Sequence, residues 1–388
     1  MVCAYCNREK EALEAKEPKY KFTQEHILPS SLIGKPENNP FTLNNICGVC
    51  NSHAGLHIDA PAVRGWFMQA HMAMYAFDYA KVEETPILPL TFWGRIKAFD
   101  YEDNICELWK GPAGDFIYHF HKPYALREEF PPVVGKPPYL KKKDVDSGFV
   151  FIYVYSNNPA WYPTIARSLK NKFPDSPLYF GNGDKTDTDI FSKIPSELSE
   201  LHTLLDSNKD GQVDFSFEAN SENRFLAKAA LGIGAKFLGD NFIQSQEAQM
   251  LRNYMWAKTH EERDKIPMHG TNFFKPGQDS TETLEMFGWE GGHVITLLNL
   301  GDCVSLTITL YNKLAATVKI EKTKFDYKDM IGDGISILII PSLNKTFGPM
   351  KYIHFINHKL SMRRINPELT EIELELKKIK DNRPPVKI

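Results

Sequence analysis

The chain has 388 residues, 42% hydrophobic and 24% charged, an ordinary globular mixture long enough for two or three domain cores. Forty-six Lys and Arg stand against 49 Asp and Glu, a net charge of −3, so no global basic field marks a nucleic-acid binder and any such site must be a local patch. The opening "MVCAYCNREKEALEAKEPKYKF" carries no signal or transit pattern, and the longest apolar runs, such as "ISILIIP" (335–341), fall far below the roughly 18–20 residues of a membrane span; a cytoplasmic protein with no membrane partner is expected.

Residues 1–60 are rich in Cys, His, Asn and Pro and poor in long periodic segments, which predicts a small domain organised around a metal. A helix is predicted over 59–80, with Asp59 as N-cap and Pro61 in the first turn. The Pro-punctuated stretch after it alternates aromatic and β-branched residues, and predicts short strands and hairpins through "NICELWKGPAGDFIYHFHKP". "GFVFIYVYS" (148–156) reads as a buried strand, and "NPAWYPTIARSLKNKF" after it as a helix with a basic face. Residues 222–262 form the most helical region, two helices broken near Gly239-Asp240. Across 292–320, apolar and polar residues alternate over Gly-Asp and Asn-Lys turns, the pattern of a β-meander. "GISILIIP" and "MKYIHFINH" are further strand candidates, and a basic, Pro-containing tail ends the chain. The expected fold class is α+β: a zinc-organised domain over 1–80, then a mixed region over 81–388 with a helical pair, a meander and a subdivision near 220.

Cys3 and Cys6 form one C-x2-C pair, and Cys47 and Cys50 another. Each pair can bite one ion from a tight knuckle, and together they complete a tetrahedral thiolate shell suited to Zn²⁺. In a reducing compartment paired cysteines favour metal over disulfide. Four thiolates fill every position, so this zinc is read as structural. Cys106 and Cys303 stand alone on strand-like segments and are read as core.

Between the knuckles lies "TQEHILPSSLIG", and "CN" follows the last cysteine. The ordered set C-x2-C, Glu-His, N-N-x-C-x2-C-N and a following Gly, over residues 3–59, resembles the HNH endonuclease family, ββα-metal nucleases, in a variant with a four-cysteine zinc site. The resemblance implies a DNA endonuclease in which His26 is the general base. Glu25 and Asn51 would hold a catalytic Mg²⁺ or Mn²⁺. The residue chemistry agrees: imidazole titrates nearest neutrality, and a carboxylate with an amide oxygen is a sparse, hard shell of the kind Mg²⁺ accepts. Neighbours on a strand point to opposite sides, so Glu25 and His26 can serve different partners. The family's middle asparagine position is occupied by Thr42; Asn44 and Asn45 lie nearby, and Asn44 is preferred as the residue bracing the His26 loop. Where some members carry a further histidine, this chain has Gly55, which argues against a catalytic zinc. His53 and His57 match no ligand position of the family.

Several other patterns are less telling. "DSNKDGQVDFSFE" (206–218) follows a calcium loop until position twelve, which is Phe217, and is read as a polar turn. The G-x-G of "LGIGAKFLG" lacks a third glycine in register and a preceding strand, and is read as close helix packing. Basic clusters at 139–144 and 166–173 could meet phosphates, although charge runs are usually solvated faces. Residues 1–80 hold seven Lys and Arg against eight Asp and Glu, so affinity for DNA must come partly from elsewhere or from a homo-oligomer. The C-terminal half, through "RFLAKAALGIGAKFLG", "LRNYMW" and "GHVITLL" with the following meander, diffusely resembles the accessory region found behind this HNH type, which leaves room for a regulatory ligand or partner protein and for an antiviral defence effector. RNA remains an alternative substrate. A non-catalytic zinc module binding DNA or protein is the competing reading, and a sensor whose output is the nuclease is a third.

Overall fold

The computed structural model describes residues 1–14, 17–79, 87–101, 104–111, 114–121, 151–155, 161–174, 176–180, 213–214, 220–273, 280–321, 327–361 and 366–382. The expected calcium-like turn lies outside these except for Val213–Asp214, and the 139–144 basic cluster lies outside them altogether. No described helix is long and apolar enough to cross a membrane.

Strands in chain order are β1 (Phe22–His26), β2 (Thr42–Cys47), β3 (Thr91–Tyr101), β4 (Asn104–Lys110), β5 (Phe116–His121), β6 (Phe151–Tyr155), β7 (Leu178–Phe180), β8 (Val213–Asp214), β9 (His293–Leu300), β10 (Cys303–Leu310), β11 (Leu314–Glu321), β12 (Gly334–Ile340) and β13 (Lys345–Lys351). They form a β1–β2 hairpin, a five-stranded sheet in the order β11-β10-β9-β12-β13, and a six-stranded sheet in the order β7-β6-β5-β4-β3-β8. Among the described pairs only β6–β7 is parallel, and helices accompany these antiparallel sheets, so the class is α+β as expected.

Contacts divide the chain into two bodies: Met1–Val63 with Ala219–Leu376, and Arg64–Glu218 with Lys377–Ile388. The contact boundaries fall at 63/64 and 218/219, the second beside the subdivision expected near 220. The chain leaves the cysteine-rich segment, builds the second body, and returns near 219 to complete the first. Packing explains the return. Gly232 of helix Asn220–Phe237 lies against Ile27, and a Cβ at 232 would stand 2.6 Å from Ile27 Cγ2, so only glycine lets the helix come this close. Gly234 admits the Phe242 ring in the same way. This is the close-packing role expected for the G-x-G pair. Leu226, Ala229, Ala230 and Ile233 of that helix are fully buried.

The five-stranded sheet belongs to the first body. Its meander has the expected turns, with Cys303 opposite Leu300 and Leu310 opposite Leu314. His293 is buried in β9; it accepts from the Tyr311 amide at Nδ1 and meets the Leu32 carbonyl at Nε2, 3.1 Å away. Burial holds its imidazole down to about 4, so it is a neutral core histidine joining the sheet to the N-terminal segment. "MKYIHFINH" departs from expectation: β13 ends at Lys351, and Tyr352–Lys359 is a helix burying Phe355 and Ile356. A short apolar run fits either period, and here the helical face is the one that packs. The helix expected over 59–80 also differs. Helix Gly48–Ala54 runs through a π turn at Gly55–Asp59 into helix Ala60–Arg64, and Trp66–Tyr79 follows, so Asp59 lies inside the helical run and caps nothing.

In the second body, helix Tyr162–Lys172 packs Ile165 and Leu169 against Phe92, Trp109 and Ile117 of the six-stranded sheet. Arg167 and Lys170 face outward on the exposed side of this amphipathic helix, while the Lys172 ammonium turns back over the Trp109 ring, 4.7 Å from its centre.

Candidate metal centre and the hairpin histidine

The sequence brings the two knuckles together by hydrogen bonding. The first turns back on itself through Cys3 N to Arg8 O (2.9 Å) and Asn7 N to Cys3 O (2.8 Å), and Ala4 N bonds Asn45 O of β2. The second spans the end of β2 and the start of helix Gly48–Ala54. Gly48 is required there, because a Cβ would meet the Lys19 carbonyl at 2.6 Å.

The four ligand sulfurs of Cys3, Cys6, Cys47 and Cys50 all lie within 4.8 Å of one another, and none is disulfide-bonded. Tetrahedral Zn–S bonds of about 2.3 Å place sulfurs about 3.8 Å apart. The donor set therefore fits the structural zinc expected from sequence, and the four cysteines together could hold one ion. The thiols also perturb one another: hydrogen bonds from Cys3 and then Cys50 hold Cys6 down to about 4, while Cys3 and Cys6 push Cys50 upward. Four thiolates cannot ionise side by side without a cation between them. Cys47 N donates to Cys3 Sγ at 3.4 Å, a bond of the kind that orients a metal ligand. Helix Gln246–Trp256 braces the first knuckle, Arg252 Nε donating to Ala4 O (2.8 Å) and Trp256 Nε1 to Tyr5 O (2.9 Å).

Strand alternation sends Glu25 inward and His26 outward, as expected for adjacent residues. Glu25 is 4% exposed, and its Oε1 meets Lys228 Nζ at 2.7 Å and the Tyr5 hydroxyl at 3.2 Å. Lys228, fully buried on helix Asn220–Phe237, also donates to Asp59 Oδ2 (3.0 Å), His26 O (3.0 Å) and Ile27 O (2.9 Å). One ammonium thus holds two carboxylates and the backbone on either side of the His26–Ile27 peptide. Two carboxylates on one cation leave an excess buried charge, and burial raises the Asp59 carboxyl to about 6 although Lys228 pulls it down. Burial, and then Glu25, push the Tyr5 hydroxyl well above the usual phenol range.

Asn51 Nδ2 donates to Thr23 Oγ1 and Gln24 O, both at 2.9 Å, and so ties the helix after the knuckle to β1. Its Oδ1 and the Oε2 of Glu25 take no hydrogen bond among the described residues. The asparagine at His26 is Asn39 and not Asn44: Asn39 Nδ2 lies 3.3 Å from His26 Nδ1, whereas Asn44 is exposed with no side-chain hydrogen bond among the described residues. Asn39 Oδ1 accepts from the Phe41 amide at 2.9 Å, which fixes the amide orientation and makes Nδ1 the lone-pair nitrogen of a neutral His26. His53 and His57 are exposed and stack edge to face, 5.7 Å apart, away from any donor group of three.

Sequence reasoning missed Asn39, Lys228 and Tyr5. Asn39 had a local signal, "ENNPF" shortly after the histidine, but Lys228 lies about two hundred residues away and had none. Comparison of the chain with family models, curated proteins and solved structures gives no match.

Proposed function

We propose that the hairpin, its cysteine cluster and helix Gly48–Ala54 form a metal-dependent endonuclease centre of the HNH kind, hydrolysing DNA phosphodiester bonds. The observation that carries this reading is His26. It is an exposed imidazole at the end of β1, with its backbone carbonyl held by Lys228 and its ring held by Asn39. A general base needs a fixed ring and an accessible nitrogen near neutrality. For Nδ1 to take a proton from water, the Asn39 amide must give up its hydrogen bond to that nitrogen, so Asn39 holds the ring in its resting position. A bound Mg²⁺ or Mn²⁺ would supply charge neutralisation on the phosphate and the leaving oxygen. Glu25 Oε2 and Asn51 Oδ1 are the protein oxygens left to hold it, a shell sparse enough for an ion that keeps most of its waters. The cysteine cluster keeps helix and hairpin together, so that Asn51 stays bound to β1.

One observation favours a second reading, a zinc-organised binding module without catalysis: Glu25 already serves Lys228, which weakens it as a metal ligand. Incubation of the full chain with supercoiled plasmid, and in parallel with single-stranded RNA, in Mg²⁺ or Mn²⁺ separates the two. The nuclease reading expects nicked or linear plasmid, lost in His26→Ala. Retarded but intact plasmid would support the module.

A further inference from the structure

A second donor cluster lies in the second body, on strands the sequence marks only as a hairpin. The β4–β5 register sets Glu107 opposite His119 and Ile105 opposite His121. Paired residues share a face and residues two apart share a face, so Glu107, His119 and His121 point to the same side of the sheet. They share it with Trp109 and Ile117, which belong to the apolar core under helix Tyr162–Lys172. The Phe173 ring, just past that helix, covers the cluster, 4.2 Å from the His119 ring and 5.4 Å from the Trp109 ring. Glu107, His119 and His121 are 1%, 1% and 0% exposed.

We propose that Glu107, His119 and His121 form a second metal site, selective for a transition-metal dication of the zinc type. The ligand atoms of the three lie within 4.8 Å of one another. His119 Nδ1 stands 3.2 Å from Glu107 Oε2, and His121 Nε2 stands 3.4 Å from Glu107 Oε1. Bonds of about 2.0–2.1 Å to a tetrahedral ion put nitrogen and oxygen donors about 3.3 Å apart, so these separations accept an ion after small side-chain movements. Two imidazoles and one carboxylate match zinc, iron or cobalt and not the all-oxygen shells of Mg²⁺ and Ca²⁺. The direct alternative is two imidazoles hydrogen-bonded to one carboxylate. It leaves His119 Nε2 buried without a hydrogen bond among the described residues. In that arrangement the Lys172 ammonium, which lies over the Trp109 ring, supplies a positive charge beside Glu107. A dication would draw the three buried donors onto one centre. Glu107 Oε2 also accepts from Trp109 Nε1 at 3.1 Å, which orients the carboxylate from behind as ligating carboxylates commonly are. Three protein donors leave the fourth position to a water or other small ligand.

The test is metal content of the full chain expressed with added zinc and dialysed against a mild chelator. Wild type should hold about two zinc ions per chain, one for each donor set. His119→Gln and His121→Gln should each hold about one, while Cys47→Ser should keep the ion at Glu107 and lose the other. Cobalt-loaded wild type gives an answer that needs no variant: X-ray absorption should contain one cobalt environment of sulfur and one of nitrogen and oxygen only. Wild type saturating at about one zinc with a purely sulfur environment, or both Gln variants retaining the second ion, would overturn the site and leave a hydrogen-bonded core cluster.

Discussion

Replacing Lys228 by methionine keeps the length of the stem and removes the ammonium. In the wild type that ammonium meets Glu25 at 2.7 Å, Asp59 at 3.0 Å, and the carbonyls of His26 and Ile27 at 3.0 and 2.9 Å, from a position with no exposure. Removing one member of a buried ion pair costs roughly 3–5 kcal/mol, because the remaining charge stays buried without a partner. Two carbonyls stripped of a charged donor add about 1–3 kcal/mol each at most, some of it recovered by water or by protonation of Asp59. A loss of about 4–6 kcal/mol is therefore expected, a large share of a typical domain's stability of about 5–15 kcal/mol. With two bodies a single unfolding curve is a poor reporter, so the assay is native-state hydrogen exchange. The Ile27 amide, bonded to Phe41 O at 2.9 Å in the wild type, reports directly on the clamped segment. Lys228→Met should lower its protection sharply. Adding Glu25→Gln and Asp59→Asn should restore part of it, since the uncompensated charges are then gone. Protection in Lys228→Met within about 1 kcal/mol of wild type would refute the argument that this lysine organises the His26 strand.

Cys47→Ser should lose the cysteine-bound zinc and, with it, the dispersion of hairpin amide resonances, whereas Cys106→Ser should keep both; an unchanged hairpin without zinc would refute the structural role of the cluster. Asp59 gives a pH dependence with a definite sign. Its carboxyl stands at about 6 in the folded chain, above its ordinary 3.8, so the folded state holds a proton the unfolded state has released. Its contribution is full below about pH 4 and is lost as pH rises to about 6, a difference of about 2–3 kcal/mol that Asp59→Asn should abolish in exchange measured across that window. Gly232→Ala should cost roughly 1–3 kcal/mol by driving a methyl into Ile27 Cγ2, 2.6 Å from the ideal Cβ position, and should cost less when measured in an Ile27→Ala background, which lacks both γ carbons.

Much of the local structure was legible because its causes are local. The C-x2-C spacings predict two knuckles, and the strand period separates Glu25 from His26. The Gly-Asp and Asn-Lys turns mark the meander, and Gly239, with φ of +74°, marks the helix break. What escaped is non-local. Nothing near Glu25 announces that a lysine about two hundred residues later will take its carboxylate, so its reading as an open metal ligand lacked that competitor. The same distance hid the return of the chain near 219, since packing across an inserted body leaves no periodic trace. Asn39 was passed over for Asn44 because spacing along the chain stood in for distance; the turn before β2 folds back toward the histidine. The His-x-His of β5 was visible in "FIYHFH", but its meaning depends on Glu107 lying opposite, which only the strand register supplies.

The central claim is that His26 is the base of a phosphodiester hydrolase. The direct measurement is the plasmid-cleavage rate in Mg²⁺ or Mn²⁺ of His26→Ala against wild type, with zinc content and far-ultraviolet spectra matched. The account predicts a rate lower by about 10²–10⁴-fold, the usual contribution of a positioned general base. A rate within a few-fold of wild type, at equal zinc content, would contradict it.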